Sequence, residues 1–202
     1  MRKALEQMRD WKDRLLSREP LSISVNLSAK HYSEPNLVEE IENLLCVNGL
    51  DASCLKLEIT ESALMDNKED VSKTLAQLDK LHIQLAMDDF GTGYSSLSYL
   101  HQLPIKTLKI DRSFISKLGL KSESRKIVQT IVALGRNLGM EVTAEGVEST
   151  RQMIELQAFD CTYAQGYLFS RPLTGNDATA LLAQDVPWLG EVHHNVENIF
   201  SR

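Results

Sequence analysis

Two adjacent carboxylates, Asp88 and Asp89, end an apolar run and are followed at once by a glycine-rich turn, Phe90-Gly91-Thr92-Gly93-Tyr94-Ser95-Ser96-Leu97. Neighbouring like charges raise the cost of ionising each other, and a bound cation removes that cost. Carboxylate oxygens are hard ligands that suit Mg²⁺, Mn²⁺ or Ca²⁺. Taken alone, the pair reads more simply as a strand-ending turn with solvated aspartates. What overturns that reading is the recurrence of polar residues at the same structural position elsewhere in the chain.

Hydrophobic periodicity sets the elements that must position such residues. Ala4, Met8, Trp11 and Leu15 recur at helical spacing, which predicts a helix over 2–16. Ser22 to Leu27, Leu55 to Thr60, Gln84 to Asp89, Thr107 to Asp111, Glu141 to Glu145 and Tyr163 to Phe169 read as strands. Between them, helices are expected from Asn36 to about Val47, from an Asp66 cap to Leu81, near Ser95–His101, and from Ser122 to a stop at Gly139. Ser149 with Gln152 forms a capping-box pattern, and Asn176 is read as the cap of a last helix after Pro172. Residues from Val186 onward read as a loosely held tail. Strands alternating with helices predict an α/β fold with a parallel sheet covered by helices.

On that scaffold, polar groups fall at or just beyond the C-terminal ends of the strands: Asn26, then Glu58 and Glu61, Asp88 and Asp89, Lys109 and Asp111, Glu145, and Gln165. A (β/α)8 barrel builds its active site from those ends. An open doubly wound sheet binds ligands only near its switch point. Polar groups on every strand fit a ring better. Each residue has a plainer reading as well: Asn26 can bond a loop, Glu58 and Lys109 can face solvent on an edge, and Glu145 and Gln165 each precede a turn glycine. Glu61 can cap the following loop or orient the glycine turn. Together they offer an oxygen-rich cage in which Asn26, Glu58 and Asp88 can hold one cation, and Asp89 and Glu145 can help hold a second. Two such ions, on the order of 3.5–4 Å apart, clamp the attacking and leaving oxygens of a phosphodiester. Lys109 can hold the nucleophilic water or neutralise developing charge. None of the five histidines joins a strand-end cluster, which argues against a zinc hydrolase.

The 202 residues suggest one domain, and 43% hydrophobic with 25% charged residues is a globular profile. A net charge of -6 argues against binding DNA or RNA polymers by bulk charge. Cys46, Cys54 and Cys161 are scattered and odd in number, so they read as reduced thiols of a cytoplasmic protein. No run approaches a membrane span, and the charged N-terminus lacks a signal peptide's apolar stretch.

The segments Val25-Asn26-Leu27-Ser28, Leu57-Glu58-Ile59-Thr60-Glu61, Asp88 through Leu97, Leu108-Lys109-Ile110-Asp111-Arg112-Ser113-Phe114, Ala144-Glu145-Gly146-Val147-Glu148 and Ala164-Gln165-Gly166-Tyr167, in this order, resemble the EAL domain, the bacterial cyclic di-GMP phosphodiesterase module. The resemblance covers residues 1–183 and leaves 184–202 as a tail. It implies a (β/α)8 TIM-barrel-like fold that hydrolyses cyclic di-GMP to the linear dinucleotide with two Mg²⁺ or Mn²⁺ ions. By motif position it makes Asn26, Glu58, Asp88, Asp89 and Glu145 metal ligands, Lys109 the water-orienting lysine, and Glu145 an assisting base. Gln165 and Asp111 become supporting residues, and Glu61 the anchor of the Asp88–Leu97 loop. A homodimer near that loop is also implied.

One departure from the family pattern is large. The Glu-Ala-Leu strand that names the family, which supplies a metal-ligand Glu and a phosphate-contacting Arg, is absent from the sequence. The expected structure is therefore an incomplete barrel of about six strands, with exposed sheet edges and exposed interior apolar side chains. The expected function is a metal-dependent phosphodiesterase. The alternative is a remnant that binds cyclic di-GMP or another protein without turnover. A receiver-type phosphoacceptor, which also uses an Asp pair and a strand Lys, fits poorly, because its pair belongs near the first strand.

Overall fold

The computed structural model describes residues 1–15, 21–28, 31, 34, 36–65, 68–93, 97–119 and 122–183. Strands β1 (Ile23–Asn26), β2 (Leu55–Thr60), β3 (Gln84–Phe90), β4 (Thr107–Ile110), β5 (Glu141–Glu145) and β6 (Tyr163–Gln165) pair in sequence order, all parallel, in one sheet. The helices are α1 (Arg2–Arg14), α2 (Leu37–Asn48), α3 (Glu61–Met65), α4 (Lys68–Lys80), α5 (Leu97–Leu100), α6 (Arg112–Ile115), α7 (Ser122–Asn137), α8 (Thr150–Ala158) and α9 (Gly175–Leu182).

Strand alternation sorts the sheet into two chemically different faces. Leu55, Leu57, Ile59, Leu85, Met87, Leu108, Ile110 and Val142 are fully buried against the helical layer. The helices answer with stripes at i, i+3 and i+4 spacing: Leu37, Ile41 and Leu45 on α2, Val71, Leu75 and Leu78 on α4, and Val128, Ile131 and Val132 on α7. Burying one such side chain contributes about 1.5–3 kcal/mol, so this layer dominates the stability of the fold.

The other face curls around a cavity of about 880 Å³, and here the structure departs from expectation. The sheet lines that cavity with Ser24, Lys56, Gln84, Thr107, Glu141 and Thr143, not with aliphatic side chains. Its apolar lining comes from Met8, Leu15, Leu21 and Leu50, in and beside α1 and in the approach to β2. The reason is local: the strands spend their large aliphatic residues on the helix side, and only the small Ala86 of β3 turns inward. Glu141 ties the polar layer together, standing 3.8 Å from Lys56 and accepting from the Tyr163 hydroxyl at 3.3 Å.

Other differences are at element ends. The last helix starts at Gly175 with Thr174, not Asn176, as its cap, because the Thr174 hydroxyl accepts from the Asp177 amide. β6 stops at Gln165 because the chain turns there: the amides of Leu168 and Phe169 donate to Val147 and Gly166 carbonyls. The one-turn helices α3 and α6 occupy stretches with no apolar periodicity to reveal them. The expected Asp66 cap and the tail after residue 183 lie outside the described residues. α9 is joined to α1 by Trp11, whose Nε1 donates to Thr179 Oγ1 at 2.8 Å.

Candidate active site

The parallel register brings the strand ends to one rim. Asn26 is paired with Glu58, Thr60 with Asp88, and Glu145 with Gln165. In the middle stands Lys109, only 4% exposed, on β4. Its Nζ lies 2.5 Å from Glu58 Oε2, 2.7 Å from Glu145 Oε1 and 3.2 Å from Asp88 Oδ1. Burial alone would favour a neutral amine, but the hydrogen bonds and charges of Glu145 and Glu58 outweigh it and hold the Lys109 pKa above its ordinary value.

Asp89 reaches the same rim by a distortion. Alternation turns Gln84, Ala86 and Asp88 inward, so an undistorted strand would turn Asp89 outward toward the helices. Instead its φ is +56°, and the β3–β4 register shifts between Met87 and Phe90. Aspartate tolerates this left-handed conformation better than most residues. As a result Asp88, Asp89 and Glu145 each offer a carboxylate oxygen within 4.8 Å of the others. Among the described residues this is the group of His, Cys, Asp and Glu side chains spaced to hold a metal ion.

The electrostatics follow from crowding. Burial pushes the Glu145 carboxyl up, Asp88 and Glu58 push the same way, and Lys109 opposes them. Burial also pushes Asp89 up, with Asp88 and Asp111 adding to it. Four carboxylates (Glu58, Asp88, Asp89 and Glu145) thus face one ammonium. Such a set fits a hard divalent cation: the donors are oxygens and the charge is in excess.

The supporting residues divide. Gln165 Nε2 donates to Glu145 Oε1 at 2.7 Å, which orients that carboxylate. Glu61 is 2% exposed, and its Oε2 accepts from the amides of Gly91 at 3.0 Å and Gly93 at 3.2 Å. It holds the glycine turn and stands apart from the carboxylate group. Asp111 caps α6, accepting from the Ser113 amide at 3.0 Å. These bonds outweigh its burial and hold its carboxyl below the usual range. Sequence reasoning missed Phe114 and the second contact of Gln152. A Cβ added to Gly91 would stand 2.9 Å from the Phe114 ring, and Gln152 Nε2 donates to the Ile115 carbonyl at 2.9 Å. The capping-box pattern found Gln152, but nothing in sequence announced its partner on α6.

Several known proteins resemble this chain in sequence and in fold. A family model described as EAL domain matches residues 1–172. The cyclic di-GMP phosphodiesterase NbdA of Pseudomonas aeruginosa is 41% identical over 179 residues, covering 84% of this chain and 23% of that protein. The solved structure of the PaMucR phosphodiesterase in complex with c-di-GMP superposes with a TM-score of 0.82 at 41% identity, covering 88% of this chain and 71% of that one. BlrP1 of Klebsiella pneumoniae, solved with manganese and cyclic di-GMP, superposes at 0.76 with 29% identity, covering 86% and 44%. The chain spans 20–29% of the length of the curated relatives it matches.

Proposed function

The chain belongs to the EAL domain family, and from that membership we propose that it is a metal-dependent phosphodiesterase module that hydrolyses cyclic di-GMP to the linear dinucleotide. The observation that carries the reading is the convergence of Glu58, Asp88 and Glu145 on Lys109, with Asp89 turned onto the same rim.

Asn26, Glu58, Asp88, Asp89 and Glu145 would hold Mg²⁺ or Mn²⁺. When bound, such ions polarise the phosphodiester and make water a better nucleophile at neutral pH. Lys109 donates a hydrogen bond to the attacking water and offsets negative charge as the phosphoryl oxygens develop it. Glu145, with its raised pKa, accepts the water's proton. Gln165 keeps the Glu145 carboxylate in position by its amide donor. A bond forms from the water oxygen to phosphorus, the bond from phosphorus to one ribose oxygen breaks, and the proton that Glu145 took from the water passes to that leaving oxygen. The buried Glu61 fixes the turn that follows Asp88 and Asp89, so the two ligands keep their spacing. Cyclic di-GMP carries two phosphodiesters, and the excess of carboxylates explains why a metal must precede so anionic a substrate.

A second reading is favoured by the sheet's ends. Among the described residues, β1 and β6 each pair on one side only, so the rim is supported unequally and the module can bind nucleotide or protein without turnover. The test is incubation of the full chain with cyclic di-GMP and Mn²⁺, separation of the nucleotides, and an Asp88→Asn control. Linear dinucleotide from the parent and not from the control is the expected result. No product from a folded parent chain would overturn the hydrolase reading and leave the binding one.

A further inference from the structure

One short element touches the ends of three of the four strands that carry the rim's carboxylates and lysine, β3, β4 and β5. α6 begins three residues after Lys109 on β4, capped by Asp111. Its Phe114 ring lies against the backbone of Gly91, two residues beyond Asp89: a Cβ there would meet Phe114 Cε2 at 2.9 Å and Cζ at 3.0 Å. Its Arg112 lies against Gly146, the residue after Glu145, where a Cβ would stand 2.6 Å from Arg112 Cβ. Both glycines have φ in the left-handed region, +95° and +70°, so neither position accepts a side chain easily. The far end of α6 is fastened as well. The buried Gln152 donates to the Ile115 carbonyl at 2.9 Å, while its Oε1 accepts from the amides of Glu148 at 2.9 Å and Ser149 at 3.0 Å.

From this placement, and resting on the reading of the rim as a metal site, we infer that α6 is a wedge that sets the spacing of Asp88 and Asp89 relative to Glu145, with Phe114 as its principal positioning residue. The glycine turn is gripped from two sides. Glu61 holds the Gly91 and Gly93 amides from one, and Phe114 stops the Gly91 backbone from the other. Glu61 alone is an attachment that leaves the turn free to swing about it. The aromatic ring removes that freedom. Because α6 follows Lys109 directly and is pinned by Gln152 to the segment after Glu145, a shift of the ring would move the Asp pair against Glu145 and Lys109 together. Ile115, fully buried, anchors the wedge in the core, so Phe114 does not hold α6 itself in place.

The test compares the full chain with Phe114→Ala and Phe114→Leu on two readouts. The first is Mn²⁺ affinity, followed by the electron paramagnetic resonance of free Mn²⁺. The second needs no metal: hydrogen exchange at the Gly91 and Gly93 amides. Residues that support metal ligands typically change affinity 10–100-fold. Phe114→Ala is expected to weaken Mn²⁺ binding by about tenfold or more and to speed exchange at both amides. Its metal-free chain should still melt in one transition. Phe114→Leu is expected to show a smaller loss of the same sign, and it decides the matter should the alanine variant fail to fold. Parent-like behaviour of the folded variants on both readouts would overturn the inference. A parent chain that binds no Mn²⁺ would sink the metal-site reading instead, and amide exchange would then judge the wedge by itself.

Discussion

Glu61 and Gly93 are matched so closely that a side chain at Gly93 would collide with the carboxylate its amide binds. The carboxylate accepts from the Gly93 amide at 3.2 Å, and a Cβ on Gly93 would stand 2.8 Å from Glu61 Oε1. Glu61→Ala leaves two amides and a buried hole where the carboxylate was. A hydrogen bond to a charged acceptor contributes about 1.5–3 kcal/mol, so its melting temperature should fall by several degrees and turnover should collapse. Glu61→Gln keeps an oxygen acceptor in the same place and should lose much less. Equal melting temperatures for the alanine variant and the parent would mean the turn does not depend on this anchor.

Lys109 stands among carboxylates as a built-in cation, which makes its removal conditional on metal. In Lys109→Met, Glu58, Asp88 and Glu145 lose their common partner. Breaking a buried charge pair from one side costs about 3–5 kcal/mol. The metal-free variant should therefore melt well below the parent. Mn²⁺ should restore more stability to it than to the parent, because the ion replaces the lost charge. Turnover should remain absent even when the fold is restored. A variant that melts like the parent without metal would show that the three contacts contribute nothing net.

The strands and the polar rim were legible because a period of two is hard to hide. β2 and β5 have the bounds read from alternation; Glu58, Asp88, Asp89, Lys109, Glu145 and Gln165 lie together at the strand ends, while Glu61 holds the glycine turn and Asp111 caps α6. Asp89 was named for the wrong geometric reason: alternation alone turns it away, and only its left-handed φ and the adjacent register shift bring it in. α3 and α6 were invisible, since one turn of helix has no periodicity and the cap of α6, Asp111, was read as a site residue. The polar inner face was misjudged because a barrel interior was assumed to be aliphatic, although Lys56, Gln84 and Glu141 already stood at the inward positions.

The raised carboxyls of Glu145 and Asp89 give the metal effect a pH sign. A carboxyl raised in the folded state contributes stability that is fully present below its unfolded pKa and lost as pH rises through the folded value. The metal-free fold is thus burdened by these two groups at neutral pH. A metal ligand must be deprotonated, so metal binding strengthens in the same direction. The rise in melting temperature caused by Mn²⁺ should therefore be larger at neutral pH than near the ordinary carboxylate range, and it should fade at a higher pH than an unperturbed carboxylate would give. Differential scanning of the full chain with and without Mn²⁺ across pH 4–8 checks this; a shift independent of pH would place the ion elsewhere.

Gln165 offers the sharpest separation of orientation from binding. Its amide donates to Glu145 Oε1, the same oxygen that lies 2.7 Å from Lys109 Nζ. Gln165→Leu removes that donor with little change in volume and leaves every carboxylate in place. Mn²⁺ affinity should then change little, because the donor set is intact. The Glu145 carboxylate loses a hydrogen bond to its charged form, which raises its pKa further. kcat should drop by about tenfold, in line with the loss of a group that orients a ligand, and the acid limb of the rate profile should move to higher pH. A fall in kcat with an unmoved acid limb would mean that Gln165 acts on the substrate and not through Glu145.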